Sequence, residues 1–286
     1  MEPLDVLSVV LRAAAFVATL QAAGLPWFAA SCRRARVGAI ASVDDLARVS
    51  AMLAVLLVVT HRGLDAGRLA GEWSGVLDLH LQGMVWSRRP GLSSIVCEMG
   101  LLAVAVGAGR PLRWGRHVGC VGALVVVGSF ALTGHTTEAS HSGLARGLVA
   151  LHVGIAAFWV GAVAGLYRLA RQSAPNAVAQ AAARFSQTAM WLVPLILPVG
   201  SLLIWALLPD LSALRTPYGC FLLVKAVGFF GLILLAAMNR LRNLPALAAG
   251  APVALLRFKR VLVAEYVILG SVLAATSTMT SLYSWH

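Results

Sequence analysis

Apolar residues run through this chain in blocks of about twenty, separated by short groups of Arg, Gly and Pro, and the blocks recur from end to end. A helix of that length rises roughly 30 Å, the thickness of a bilayer's hydrocarbon core. Ending helices at Gly, Pro and charge clusters predicts spans over 6–30, 46–68, 91–109, 114–134, 143–170, 185–208, 217–239 and 258–282. The pattern therefore predicts an all-α integral membrane protein, a bundle of about eight transmembrane helices. It forms a single polytopic membrane domain over 1–286 with no room for a sizeable soluble domain.

Composition agrees with the pattern. The 286 residues are 59% hydrophobic and 12% charged, and the mean hydropathy of +0.84 lies well outside the soluble range. Glu2 and Asp5 stand where a cleavable signal would carry basic residues, and the first block is long enough to span, so the first helix is expected to be the insertion signal itself.

The net charge of +12 does not point to nucleic acid, because nearly all the Arg and Lys lie between apolar blocks. Arg33, Arg34 and Arg36 follow the first span, Arg110, Arg113 and Arg116 the third, and Arg168 and Arg171 the fifth. Arg240, Arg242, Arg257, Lys259 and Arg260 follow the seventh. By the positive-inside rule these loops face the cytoplasm, which puts both termini outside, in a periplasm if the host is Gram-negative. Arg68, Arg88 and Arg89 in the 2/3 connection blur the alternation.

The stretch LARVSAMLAVLLVV, from Leu46, is similar to AARFSQTAMWLVPLI, from Ala182, and the preceding spans align loosely. A four-plus-four parallel repeat, with halves 1–134 and 135–286, is one arrangement this suggests. Cys32, Cys97, Cys120 and Cys220 show no CxxC spacing, so neither a zinc site of that kind nor a disulfide framework is indicated, and small apolar core residues are the plainer reading.

Histidine distribution adds chemistry to this frame. On the predicted topology His61, His80, His135, His141, His152 and His286 fall on the outer side or in the outer half of a span, and only His117 faces inward. Histidine is neutral enough near pH 7 to approach hydrocarbon and is the commonest metal ligand, so this asymmetry suits capture of a cation from outside. His135 and His141 bracket Glu138 in the 4/5 loop, and His152 lies about three helical turns deeper than His141 on roughly the same face as Trp159. For His152 the alternatives are a core histidine bonded to a backbone carbonyl and a station on a pathway; within a membrane such polar groups usually mark a path. His135 has the alternative of a solvated or capping side chain, and His141 reads as an ordinary loop residue.

In the 2/3 connection His61 and Asp65 are four apart, as are His80 and Met84, so each pair shares a helical face. Imidazole with carboxylate suits oxidised copper, and imidazole with thioether the reduced ion. The alternative is an interfacial amphipathic helix held by Trp73 and Trp86. Cys97, Glu98 and Met99 are consecutive in the third span, about 100° apart around the helix, so they cannot all face one ion. Glu98 is costly in hydrocarbon unless paired or wet. Arg12, Lys225 and Glu265 are further intramembrane charges, and structural ion pairing among these four is the competing reading.

TGH at the end of the fourth span, LHVGIAAFWVGA in the fifth, ARFSQTAMWLVPLILPVGSLLIW in the sixth, TPYGCFLLVKAVGFFGLILLAAMNRLRNLPAL in the seventh and LLRFKRVLVAEYVILGSVLAATS in the eighth together resemble the copper resistance protein D family. The resemblance covers the C-terminal half well and the first half mainly through span count and the Arg12 region. It implies an eight-span inner-membrane protein that moves copper from periplasm to cytoplasm, often encoded with a periplasmic partner, copper resistance protein C. His135, His152, Trp159, Lys225 and Glu265 fall on matching positions; the Cys97-Glu98 pair departs from the basic residue that many relatives have nearby.

Two functions of different classes follow. The preferred one is a copper permease, not an enzyme, with the copper ion as substrate. Its metal ligands are drawn from His135, His152, His80, His61, Glu98 and Met84, and its structural or gating residues are Trp159, Lys225, Glu265 and Arg12. No GxxxxGK[ST] run is present, so transport is expected to be passive or coupled to an ion gradient. The alternative is a haem-binding oxidoreductase of cytochrome b type, with His135 and His152 or His61 and His152 as axial ligands. Against it, the histidines crowd one side. A plainer third reading is a sensor or assembly subunit that binds copper without moving it.

Overall fold

The computed structural model describes residues 3–34, 40–108, 113–133, 142–207 and 215–282. Helix α1 (Pro3–Arg34) is followed by α2 (Ile40–Ala70), a 3-10 turn (Trp73–Leu77), α3 (Leu79–Ser87), α4 (Arg89–Gly107) and α5 (Arg113–Ser129). The second part contains α6 (Ser142–Gln172), α7 (Pro175–Leu192), α8 (Ile196–Leu207), α9 (Pro217–Met238), α10 (Leu244–Ala248) and α11 (Ala254–Leu282). No strand occurs among the described residues, and the chain is an all-α membrane bundle.

Among the described residues seven segments are long and apolar enough to cross a bilayer: Pro3–Arg33, Arg89–Gly107, Trp114–Leu132, Gly143–Gln172, Pro175–Ala206, Pro217–Ala248 and Ala254–Ser281. The span predicted at 46–68 is helical but falls outside these seven. It lies within α2, whose apolar centre is framed by Asp44, Asp45 and Arg48 on one side and Arg62, Asp65 and Arg68 on the other.

Proline explains where the sixth and seventh segments differ from the prediction. The sixth begins at Pro175, ten residues before the predicted 185, because proline suits the first helical turn, where its missing N–H has no partner to lose. Pro194 then interrupts it with a 3-10 turn at Val193–Leu195. The seventh does not stop at 239. It widens into a π turn at Asn239–Asn243 and continues as α10, with Pro245, which cannot return an N–H to Leu241, just beyond the wide turn.

Helix α1 occupies the centre, packed against α2, α6, α11 and α5. Its approach to α6 is a backbone contact: a Cβ on Gly24 would lie 1.8 Å from the Ala157 carbonyl oxygen, and one on Gly161 would lie 2.4 Å from the Gly24 carbonyl carbon. Two helices in lipid gain by such closeness, since small residues let the backbones meet and dispersion contacts accumulate. The packed core around this crossing includes Leu25, Phe28, Leu101, Trp159, Val160 and Leu166. By contrast α9 turns Leu223, Val227, Phe230 and Leu234 outward, as a helix facing lipid does.

Candidate functional site

Polar side chains gather in three places along the bundle. The first is the end where α1 begins. Arg68 donates to Asp5 (3.1 Å) and Asp65 (3.4 Å), and Arg62 donates to Asp65 (2.7 Å) and to the Ser94 hydroxyl (3.2 Å), tying α1, α2 and α4 together. The His61 ring meets the Ser8 hydroxyl at 3.3 Å. The His61–Asp65 pair considered above is thus drawn apart: the carboxylate is engaged by two guanidinium groups, because an arginine fork matches its geometry better than one imidazole. Arg12 reaches across to the end of α11, donating to the Ser281 hydroxyl (3.0 Å) and the Thr280 carbonyl (3.4 Å).

At the same end α3 lies over α2. Asp78 caps it by accepting from the backbone N–H groups of His80 (2.8 Å) and Leu81 (3.2 Å), and Gln82 anchors it by donating to the Gly63 and Val76 carbonyls. His80 and Met84 are both exposed, one turn apart on this short helix, while Trp86 donates to Gln82 at 3.2 Å.

The second place is α4. Cys97 is buried, Glu98 is half-buried and Met99 is 64% exposed, so the three consecutive side chains diverge as helical geometry requires. Among the described residues the buried Glu98 Oε1 has no hydrogen-bond partner, and Arg62 is the charge that acts on it.

The third place is a seam between α6, α8, α9 and α11. His152 on α6 lies against Gly200 of α8, where a methyl group built on the glycine would be 3.6 Å from Cε1 and 3.9 Å from Nδ1. Its charged neighbour is Lys225 of α9, and among the described residues its buried Nδ1 has no hydrogen-bond partner. Two turns along α6, Trp159 is 2% exposed and meets Phe229 edge-on at 6.2 Å. Lys225 and Phe229, four apart on α9, therefore face His152 and Trp159, seven apart on α6. Next to Trp159 is Glu265 of α11, also 2% exposed, which accepts from Asn239 Nδ2 at 3.0 Å; Asn243 in turn donates to Asn239 Oδ1 at 2.8 Å.

Ion pairing among Glu98, Arg12, Lys225 and Glu265 does not occur. Each has found a different neighbour because each faces a different helix. His135, Glu138, His141 and His286 lie outside the described residues. Among the described ones no three His, Cys, Asp or Glu side chains converge as a metal-binding group. Sequence reasoning missed Asn239 as the donor to Glu265, and Asn243 as the residue that holds Asn239; two asparagines four apart at the end of an apolar block were the available signal.

These features define a class, an all-α polytopic membrane bundle with polar side chains sunk between its spans. Residues 3–148 match the family described as copper resistance protein D-like, N-terminal domain, and residues 179–279 match copper resistance protein D. The chain belongs to the copper resistance protein D family, and its work is copper resistance or transport at a membrane. No curated protein and no solved structure matches it.

Proposed function

We propose that this protein carries copper across the inner membrane, from periplasm to cytoplasm, with both termini on the periplasmic side. Exposed His80 and Met84, with His135 of the 4/5 loop, collect the ion outside, with His61 and Glu98 next to the path and His152 as the station within the bundle. Trp159, Lys225, Glu265 and Arg12 shape or gate the route. A periplasmic copper-binding protein of the copper resistance protein C type is the expected donor.

The observation that carries this reading is the unpartnered Nδ1 of His152. A polar ring atom between membrane helices normally finds a hydrogen bond, because lipid offers none and leaving the group bare costs about 1–3 kcal/mol. An imidazole nitrogen is a good ligand for either copper ion, so a passing metal would satisfy it. Among the described residues Lys225 has no acidic partner, so a cation on His152 meets a competing charge. Occupancy is then transient, as a carrier requires of its stations.

The test is copper accumulation in cells expressing the wild type or His152→Ala, with copper content and visible spectrum of the purified proteins. Wild type should carry copper, show no Soret band and raise cell copper, and the variant should lose both copper effects. Equal uptake by the two would sink the pathway, and a Soret band would favour haem.

A further inference from the structure

The proposed route gives Glu265 a gating place but no chemistry, and its surroundings supply one. The carboxyl is 2% exposed near the middle of α11, and its hydrogen bond comes from a neutral amide, Asn239 Nδ2. Charges on every packed element are occupied or distant. On the π turn, Arg240 donates to the Ser186 hydroxyl (2.7 Å) and carbonyl (3.1 Å), and Arg242 is exposed. On α6 the neighbour is neutral Trp159, and Arg168 lies more than two turns further along without acting on Glu265. On α9 the facing ring is Phe229, and Lys225 is the charge that acts on His152, without acting on Glu265. On α1, Gln21 is taken by Tyr266 at 2.5 Å; α10 carries no charge, and Arg257, Lys259 and Arg260 of α11 are at least a turn nearer its start.

An ionised carboxylate held by one amide donor, with only the neutral Trp159 indole N–H beside it and no cation at hand among the described residues, costs several kcal/mol between membrane helices. The neutral acid does not carry that penalty. Asn239 is itself held by Asn243 across the π turn, and closing that wide turn to a regular α turn would rotate the asparagines by about 100° away from the carboxyl.

From this geometry we propose, building on the copper-transport reading, that Glu265 is a proton-binding site in the bundle core, loaded when the bundle is closed and emptied outward as a copper ion moves inward. Each proton released offsets one positive charge carried in, so the exchange lets a proton gradient act on copper movement.

Two measurements on the full-length protein test it. Infrared spectra of the metal-free protein at neutral pH should show a protonated carboxyl band that resists deuterium exchange and is lost in Glu265→Gln; Glu265→Asp, which keeps the acid, should retain a shifted band. In proteoliposomes, wild-type copper movement should respond to an imposed pH gradient and release protons, and Glu265→Gln, checked for native helix content and dispersity, should lose both responses. Absence of the band overturns the site. A band with gradient response unchanged in Glu265→Gln overturns the coupling. Wild-type vesicles that move no copper would overturn the copper reading on which the exchange rests, leaving the band as a separate test of the site.

Discussion

Replacing His152 with leucine separates the cost of the bare ring from its use. In the metal-free protein Nδ1 is buried without a partner among the described residues, and the ring edge faces Gly200, where a methyl group would sit at ordinary contact distance. An unsatisfied polar atom of this kind costs about 1–3 kcal/mol, and measured interhelical hydrogen bonds in membranes fall at the lower end. Leucine has nearly the same volume, has no polar atom and gains apolar contacts with the same neighbours. His152→Leu should therefore stabilise the apo bundle by about 1–2 kcal/mol, a 5- to 30-fold change in the folded-to-unfolded ratio. It should also abolish the copper retained on purification. Denaturant titration in detergent, followed by tryptophan fluorescence, measures the first effect, and atomic absorption the second. Asn239→Leu is the opposite control. It strips Glu265 of its donor and should destabilise by about 1–3 kcal/mol. Should metal-free His152→Leu prove less stable than wild type by about 1 kcal/mol or more, the ring has a partner and the reasoning fails.

Other substitutions probe neighbouring parts. Lys225→Met removes the charge facing His152 and should strengthen copper retention about tenfold, since about 1.4 kcal/mol is within what one nearby like charge contributes at an effective dielectric of about 20; equilibrium dialysis reads it. Asp65→Leu leaves Arg62 and Arg68 without their shared acceptor and should cost about 2 kcal/mol. That is less than for a fully buried pair because these side chains are 19%, 18% and 31% exposed, and copper retention at His152 should not change. Gly161→Val drives a methyl into the Gly24 backbone and should cost about 3 kcal/mol, seen as a lower unfolding midpoint; Gly147→Ala, with open space around it, should be neutral or slightly stabilising.

The sequence by itself determined the class. Blocks of about twenty apolar residues have one stable solution in lipid, the helix, because a backbone there must satisfy its own hydrogen bonds. Arginine in most of the turns was equally legible, as was the family through its scattered motifs. The divergence of Cys97, Glu98 and Met99 followed from helical geometry alone.

Partners were another matter. Asp65 was one turn from His61 in sequence, yet it joined Arg62 and Arg68. That choice depends on α1 and α4 bringing Asp5 and Ser94 to the same corner. Glu265 was visible as a costly charge, but its bond to Asn239 needed a π turn that periodicity does not announce, set beside a proline whose effect depends on its surroundings. His152 drew attention as a polar residue in an apolar block. That its Nδ1 is bare, with Lys225 beside it and Gly200 against it, was decided only when four helices met, because spacing along one helix says which side a residue faces and nothing about what waits there.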